Sequence, residues 1–192
     1  MTFAELKTPG GYKCGEVASA LQKCIRRGLC DDALFWAVEL DLAGFGEYVF
    51  KRLVIIASED VGLADPHACF VVSALRENWR EQHKKKDAKH RPERLFLVHA
   101  ILYLCSCGKS RIVDNALIVH YEGPRPRRPM PDFALDRHTL SGRALRRGWE
   151  HFFTEGTRLE NEAPIPDSYQ TEAVAIRSAT ENTQTELTLE TP

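Results

Sequence analysis

The sequence predicts an all-α fold. Apolar residues recur with the 3.6-residue period of an amphipathic helix in several successive segments from Gly15 onward. Glycines and prolines stand where these segments stop or start, as they do at helix ends. Only residues 53–57 also fit a buried strand, and the length of that segment and its charged flanks favour a helix.

Residues 1–13 are predicted to form a flexible lead, because Pro9-Gly10-Gly11 interrupts any helix. A first helix follows and ends near Gly28, a residue suited to a C-terminal stop. Its apolar positions share one face: Val17, Leu21, Cys24 and Ile25. A second helix is predicted from about Asp31, where two acids favour the positive helix N-terminus. Its expected core positions are Leu34, Val38 and Leu42.

A third helix carries Val49, Leu53 and Ile56 on one stripe. Asp65-Pro66 then provides an N-cap acid followed by proline at the first position of a fourth helix. The expected core positions of this helix are Val71, Leu75 and Trp79. Pro92 opens a fifth helix, with Leu95, Val98, His99 and Leu102 spaced for a core face, and residues 110–121 form one more.

The remaining chain has a different composition. Residues 123–131 hold four of the ten prolines and are predicted to be an extended connector. A further helix is expected over residues 140–153. From residue 161 the chain is rich in Thr, Glu and Pro without a periodic apolar face, which indicates a disordered acidic tail. The predicted organisation is therefore a lead (1–13), a helical domain (14–122), a Pro/Arg-rich arm with a final helix (123–160) and a tail (161–192).

Composition narrows the class of protein. With 43% hydrophobic and 28% charged residues the chain is typical of a soluble domain, and no apolar run approaches the roughly 20 residues of a membrane span. Six cysteines without a secretory signal indicate reduced thiols and a cytoplasmic location. The net charge of −1 divides into +5 over residues 1–153 and −6 over residues 154–192. A basic body with an acidic tail is compatible with nucleic-acid contact.

The most distinctive stretch runs from Tyr48 to His67 and contains Ser58-Glu59-Asp60-Val61-Gly62-Leu63-Ala64-Asp65-Pro66. This stretch closely resembles the signature of the C-terminal region of the RarA/MgsA AAA+ ATPases, relatives of Werner-helicase-interacting protein. Further pieces of the resemblance are Ser19–Lys23 with Ile25-Arg26-Arg27, Ala33-Leu34 with Trp36, Lys109-Ser110 and Asn115-Ala116. The resemblance covers about residues 14–122 and leaves the last 70 residues outside.

The resemblance implies the all-helical post-AAA+ oligomerisation fold also used by clamp-loader collars. It further implies a homo-oligomer, with a tetramer as the expected form, and a role at stalled or damaged replication forks. Ser58, Glu59, Asp60, Gly62, Asp65 and Pro66 are then structural signature residues. ATP hydrolysis does not carry over, because these 192 residues contain no Walker motif.

Two motifs resemble ligand-binding sites, but their details predict a purely structural role. Gly108-Lys109-Ser110 looks like part of a phosphate loop, but such a loop needs a glycine where Tyr103 stands, so an inter-helix turn is predicted. The cysteines include only one close pair, Cys105 and Cys107, whereas structural zinc prefers paired CxxC spacings. Buried thiols, no cofactor and no metal are therefore expected.

Two carboxylates and an imidazole lie close together at Asp132, Asp136 and His138, with His151 further along. Such a group could bind a metal or form an acid/base pair, whereas the alternative is that Asp136 or Thr139 caps the following helix.

Arginines dominate the arm. Residues 123–149 contain seven bases and two acids, and Trp149 is an aromatic on which bases could stack. The candidate nucleic-acid contacts are Arg125, Arg127, Arg128, Arg143, Arg146, Arg147 and Trp149. The alternative is an arm that packs on other helices or docks a partner.

Two hypotheses of different classes follow. The favoured one is a non-enzymatic helical oligomerisation module that acts in DNA replication or repair, with DNA or a separate AAA+ ATPase or replication protein as partner and without a membrane. The alternative is a small metal-dependent enzyme that acts on nucleic acid through Asp132, Asp136 and His138.

Overall fold

The computed structural model describes residues 2–85 and 90–189, with side chains as far as residue 180. The chain divides into two compact units, residues 1–125 and residues 126–192. Within the described residues the regular structure is helical, and the one β-type contact is an isolated bridge between Lys7 and Lys13. The all-α prediction is confirmed. None of the described helices is both long enough and apolar enough to cross a bilayer.

The first unit is built from α1 (Cys14–Arg27), α2 (Cys30–Leu42), α3 (Gly46–Ile56), α4 (Ala68–Lys84), α5 (Glu93–Ser106) and α6 (Ile112–Leu117). One hydrophobic core joins α1 to α5. The predicted core faces of α1 and α3 are confirmed, since Val17, Leu21, Ile25, Val49 and Leu53 are all fully buried or nearly so. Gly28 ends α1 in the left-handed conformation, at φ 70°, as its position predicts.

The predicted inward faces of α2 and α5 are wrong. Val38 and Leu42 are about half exposed, and α2 buries Ala33, Ala37 and Leu40 instead. Leu95 and Leu102 are likewise exposed, while α5 buries its inward positions Leu97, Ala100, Ile101 and Leu104. The apolar residues of both helices are spread around the helix axis and not confined to one side, so their spacing does not indicate which side faces the core.

The segment predicted to be a flexible lead is packed against the helices of the first unit, to which it belongs. The ring of Phe3 contacts those of Phe45 and Tyr48, with centroids 5.1 and 4.2 Å apart. The Glu39 carboxylate accepts a hydrogen bond from the Gly10 amide at 3.0 Å. The aromatic contact and this long-range hydrogen bond order a segment that lacks helical periodicity of its own.

The second unit contains α7 (Leu140–Ala144), α8 (Trp149–His151) and α9 (Gln170–Leu189). The single helix predicted over residues 140–153 is interrupted, because Arg146 adopts a positive φ of 55° and Gly148 an extended conformation. The tail also differs from the expected disorder, since α9 lies within it; the Ala, Glu, Gln and Leu content of this stretch favours helix.

Candidate functional site

The signature segment forms an irregular turn that ends α3. Residues Ala57–Val61 make one π-helical turn, and Gly62–Ala64 make a short 3₁₀ turn. The wider turn places Asp60 inside the protein, where it is fully buried, and leaves Ser58 at the surface, with Oγ 3.2 Å from the Cys69 sulfur. A charged carboxylate is costly to bury without partners. The groups that contact Asp60 therefore indicate the role of the signature segment.

Cationic and amide groups from distant parts of the first unit surround the two signature carboxylates. Arg26 donates from Nε to Asp60 Oδ1 at 2.5 Å and from Nη2 to Glu59 Oε1 at 3.1 Å. Gln22 donates to the other Asp60 oxygen at 3.0 Å. Arg111 reaches both carboxylates at 3.4 Å and also pairs with Asp114. This network joins α1, the end of α3 and the start of α6.

The backbone of the same turn holds the connection between α5 and α6. The Ser110 amide donates to the Asp60 carbonyl at 2.9 Å. Gly62 has φ 52° and ψ −128°, and a Cβ at this position would lie 3.2 Å from the Ser110 carbonyl oxygen. Glycine is required here both by the backbone conformation and by the close approach of the second chain segment.

Gly108-Lys109-Ser110 lies between α5 and α6, so the predicted inter-helix turn is confirmed. The Lys109 ammonium donates to the carbonyl oxygens of Leu104, Cys105 and Cys107 at 2.9, 3.2 and 2.5 Å. A lysine at this place satisfies carbonyls at the negative end of α5. Its side chain is therefore engaged in capping a helix.

The last acid of the signature, Asp65, lies at the start of α4. One oxygen accepts from the His67 amide at 3.0 Å, which closes a side-chain turn just before the helix, and the other accepts from the Tyr103 hydroxyl at 2.7 Å. The N-cap residue is His67, whereas the sequence predicts Asp65. The hydrogen bond from Tyr103 lowers the pKa of Asp65 and raises that of the Tyr103 phenol. The helix itself begins at Ala68, two residues after Pro66, which is slightly later than predicted.

Every carboxylate of the signature is thus bonded to a group from another element. Glu59 and Asp60 accept hydrogen bonds from arginine side chains. Asp65 accepts hydrogen bonds from the Tyr103 hydroxyl and from the His67 amide just before α4. Such an arrangement fixes the relative position of five helices. The sequence predicted the signature as structural but did not identify Gln22, Arg111 or Tyr103 as its partners.

The arginines of the arm fall into two groups. Arg125, Arg127, Arg128, Arg143 and Arg146 are exposed. Arg147 instead donates to the carbonyl oxygens of Asp132 and Leu135 at 2.7 and 2.9 Å, and to the Asp132 carboxylate at 2.6 Å. These bonds tie the connection between α7 and α8 to the segment before α7, so Arg147 stabilises the second unit.

Trp149 is the centre of the second unit and is 9% exposed. The Arg137 guanidinium lies 3.7 Å from the centroid of its ring and that of Arg177, from α9, lies at 5.0 Å. Phe153 stacks on it with centroids 5.8 Å apart. Stacking of a nucleic-acid base on this ring, as expected from the sequence, requires these groups to move.

The group of acids and histidines in the second unit does not converge on one point. Asp136 accepts from the His138 amide at 3.0 Å and pairs with the His138 ring at 2.9 Å, which lowers the pKa of Asp136. Asp132 is bonded to Arg147. The predicted cap is present, since Thr139 accepts from the Gly142 amide at 3.0 Å. Among the described residues no three His, Cys, Asp or Glu side chains are placed to hold a metal ion.

Comparison with known proteins identifies the family of this sequence. The family described as MgsA AAA+ ATPase C terminal matches residues 29–152, about two thirds of the chain. The match extends past residue 122, so the expectation that the whole of the last 70 residues lies outside the family is wrong for residues 123–152.

Three relatives share the name Replication-associated recombination protein A. The one from Haemophilus influenzae is 33% identical over 129 residues, which are 67% of this chain and 27% of the relative. The Escherichia coli K12 protein is 32% identical over the same length and coverage. The Bacillus subtilis protein is 31% identical over 160 residues, 79% of this chain and 36% of the relative. The chain spans about a quarter to a third of the length of these relatives. The match over about two thirds of the chain establishes that the chain belongs to the MgsA AAA+ ATPase C-terminal family.

Proposed function

We propose that the first unit is an assembly module: a helical body that forms a homo-oligomer, with a tetramer as the expected form, and that performs no catalysis itself. This proposal rests on one observation, namely that the acids of the signature form contacts between helices. The side chains of Glu59, Asp60 and Asp65 all accept hydrogen bonds from other helices or turns and so hold the helices together. Because these contacts hold the helices in fixed relative positions, the surface of the unit is preorganised, which lowers the entropic cost of association.

The family and the names of the relatives support a role in replication-associated recombination. Within that role a polypeptide that carries the AAA+ ATPase module is the proposed partner, and the cytoplasm is the proposed location. Mixing this chain with an ATPase of the family and weighing the particles by native mass spectrometry tests the partnership. Mixed particles are expected, and the absence of mixed particles at micromolar concentrations would contradict it.

The native mass of the protein tests self-assembly directly. Size-exclusion chromatography with multi-angle light scattering, over the micromolar range, is expected to give a multiple of the 21.8 kDa chain mass, ideally four. A mass of one chain across that range would contradict the assembly function.

A second proposed activity is sequence-tolerant contact with DNA through the arm. Arg125, Arg127 and Arg128 are exposed in an extended proline-rich stretch, and Arg143 and Arg146 are exposed on or next to α7. Exposed guanidinium groups bind phosphates without reading base sequence. Binding of labelled single-stranded and duplex DNA, measured over a range of salt concentrations, tests this activity. The alternative of a metal-dependent enzyme has no comparable support, because Asp132 is bonded to Arg147.

A further inference from the structure

The folded first unit brings together two cysteines that are far apart in the sequence. Cys30 is the first residue of α2, and Cys105 is the last residue but one of α5. The Cys30 thiol donates to the Gly28 carbonyl oxygen at 3.6 Å, and a Cβ on Gly28 would lie 3.4 Å from the Cys105 carbonyl oxygen. The side chains of Cys30 and Cys105 are hydrogen-bonded to each other. The fold therefore places two free thiols side by side.

The two thiols differ in their access to solvent. Cys105 is 6% exposed, and burial, followed by its hydrogen bond with Cys30, raises the pKa of the Cys105 thiol to about 12. Cys105 is therefore protonated at neutral pH, and a protonated thiol is a poor nucleophile towards oxidants. Cys30 is partly exposed. A small oxidant in the solvent accordingly reaches Cys30 first.

The backbone on both sides of this thiol pair is anchored. The Lys109 ammonium donates to the carbonyl oxygens of Leu104, Cys105 and Cys107 at 2.9, 3.2 and 2.5 Å, which fixes the end of α5. On the other side, Gly28 closes α1 in the left-handed conformation, and α2 begins two residues later. These contacts keep the two thiols adjacent in the folded protein.

The other cysteines have different neighbours. The sulfur of Cys69 lies 3.2 Å from the Ser58 hydroxyl, and the Cys107 thiol donates to the Asp65 carboxylate at 3.5 Å. Cys14 is fully buried. These three thiols are therefore placed less favourably for a reaction with one another than Cys30 and Cys105 are.

Cys24 is the competitor of Cys30 for Cys105. Burial and Cys30 raise the pKa of the Cys105 thiol more than Cys24 does, so Cys30 is the stronger neighbour. The Cys24 side chain is itself hydrogen-bonded to Trp36. Cys30 is thus the expected partner of Cys105, and Cys24 is the alternative that an experiment must distinguish.

We propose that Cys30 and Cys105 form an oxidation site, at which a hydroperoxide converts the two thiols into an intramolecular disulfide between the start of α2 and the end of α5. This inference goes beyond the proposed assembly and DNA contact and depends on neither.

The reaction proceeds in two steps. First, Cys30 Sγ attacks one oxygen of the hydroperoxide, the O–O bond breaks, and Cys30 becomes a sulfenic acid while water or an alcohol leaves. Next, Cys105 Sγ attacks the sulfur of the sulfenic acid, the Cys105 proton passes to the leaving hydroxyl, and water departs. The two sulfur atoms together lose two electrons, which the hydroperoxide takes up. A dithiol reductant reverses the bond by thiol–disulfide exchange.

Peptide mapping of the full chain tests the site. The reduced protein is treated with hydrogen peroxide, its remaining thiols are alkylated, and trypsin is added. Trypsin releases Cys30 in residues 28–51, Cys105 in residues 95–109 and Cys24 in residues 24–26. The expected product is residues 28–51 linked to residues 95–109, within one chain on a non-reducing gel. Alkylation of both cysteines, a link from residues 24–26, or a link between two chains would overturn the proposal.

Serine variants identify the sulfur atoms and the order of the steps. Cys107→Ser is the matched control, because Cys107 lies in the same tryptic peptide as Cys105, and it is expected to keep the link. Cys105→Ser is expected to lose the link and to leave Cys30 as a sulfenic acid that dimedone captures. Loss of the link in Cys107→Ser, or dimedone on Cys24 in place of Cys30, would overturn the assignment.

The melting temperature checks that the native fold accommodates the bond. A disulfide that closes a long loop restricts the unfolded chain, so oxidation is expected to raise the melting temperature by about 5–10 °C. Dithiothreitol should reverse the rise, and Cys30→Ser treated in the same way should show none. A melting temperature that stays the same or falls when the disulfide forms would overturn the proposal that these two thiols are positioned for it.

Discussion

The buried carboxylate of Asp60 and the guanidinium of Arg26 form an ion pair across 34 sequence positions, with 2.5 Å between Oδ1 and Nε. Asp60 is fully buried, whereas the Arg26 side chain is 30% exposed. The Asp60 carboxylate also accepts a hydrogen bond from the Gln22 side chain, and the Asp60 backbone carbonyl accepts one from the Ser110 amide. One residue of the signature thus joins three separate parts of the first unit.

Asp60→Ala is expected to destabilise the protein by roughly 3 kcal/mol, because it leaves the buried amide of Gln22 and the part-buried guanidinium of Arg26 without their acceptor. Urea denaturation followed by circular dichroism measures the free energy of unfolding. Glu16→Ala is the control: its pair with Lys13 is 3.4 Å long but largely exposed, so a loss below about 0.5 kcal/mol is expected. Equal losses in the two variants would show that the buried network is not important.

Gly62→Ala is expected to cost about 2–3 kcal/mol, from a strained backbone conformation together with the contact of its Cβ with the Ser110 carbonyl oxygen. Gly11→Ala separates the two effects. Gly11 also has a positive φ, 85°, but a Cβ there meets no atom within 4 Å, so a loss of about 1 kcal/mol is expected. Thermal denaturation of both variants gives the comparison, and a larger loss at Gly11 would contradict it.

Glu47 is expected to make stability depend on pH in acid. Hydrogen bonds from Arg80, at 2.6 and 3.1 Å, and from Arg76 lower its pKa from 4.5 to about 2. Because the folded pKa is the lower one, the stabilisation is fully present above about pH 4.5 and is lost as the pH falls towards 2. In Glu47→Gln the melting temperature should depend less on pH in this range than it does in the native protein. An unchanged pH profile would contradict the assignment.

Arg127→Ala/Arg128→Ala is expected to weaken DNA binding and to flatten its salt dependence. Each phosphate contact contributes a logarithmic slope of about −0.9 on duplex and −0.7 on single strands, so two contacts are lost at most. Lys7→Ala/Lys51→Ala removes the same charge from exposed positions in the first unit and serves as the control. Unchanged affinity and slope in the arginine variant would remove the arm from the DNA-binding proposal.

Deletion of residues 162–192 is expected to tighten DNA binding. The segment carries six acids and one arginine, and it includes α9, whose Arg177 lies over the Trp149 ring. Its removal takes away negative charge and uncovers part of that ring, so the gain should be larger on single strands, where base stacking is worth roughly 1–3 kcal/mol. Adding Trp149→Leu should abolish the preference for single strands; equal affinities of the full and shortened chains would contradict the prediction.

Most of the helices could be predicted from the sequence, because their determinants are local. Gly28 ends α1, as its residue type indicates. Asp65-Pro66 precedes the start of α4 as predicted, although the N-cap position is His67 and not Asp65. On α1 and α3, polar residues mark the outer side, so the period of the apolar residues also gave the buried face correctly. The signature stretch is distinctive enough to identify the family by its residue types and their order alone.

The tertiary structure alone decided which side of α2 and α5 is buried, because the apolar residues of both helices are spread around the axis and only the neighbouring helices select a face. It also decided the partners of the signature acids, since Gln22 and Arg111 come within reach of Asp60 only when α1, α3 and α6 pack together. Trp149 and Arg147 looked like surface contacts for nucleic acid, yet both are engaged within the second unit. An arginine forms the same kind of contact with a phosphate, a carboxylate or a carbonyl oxygen, so its role depends on which of these the folded chain brings to it.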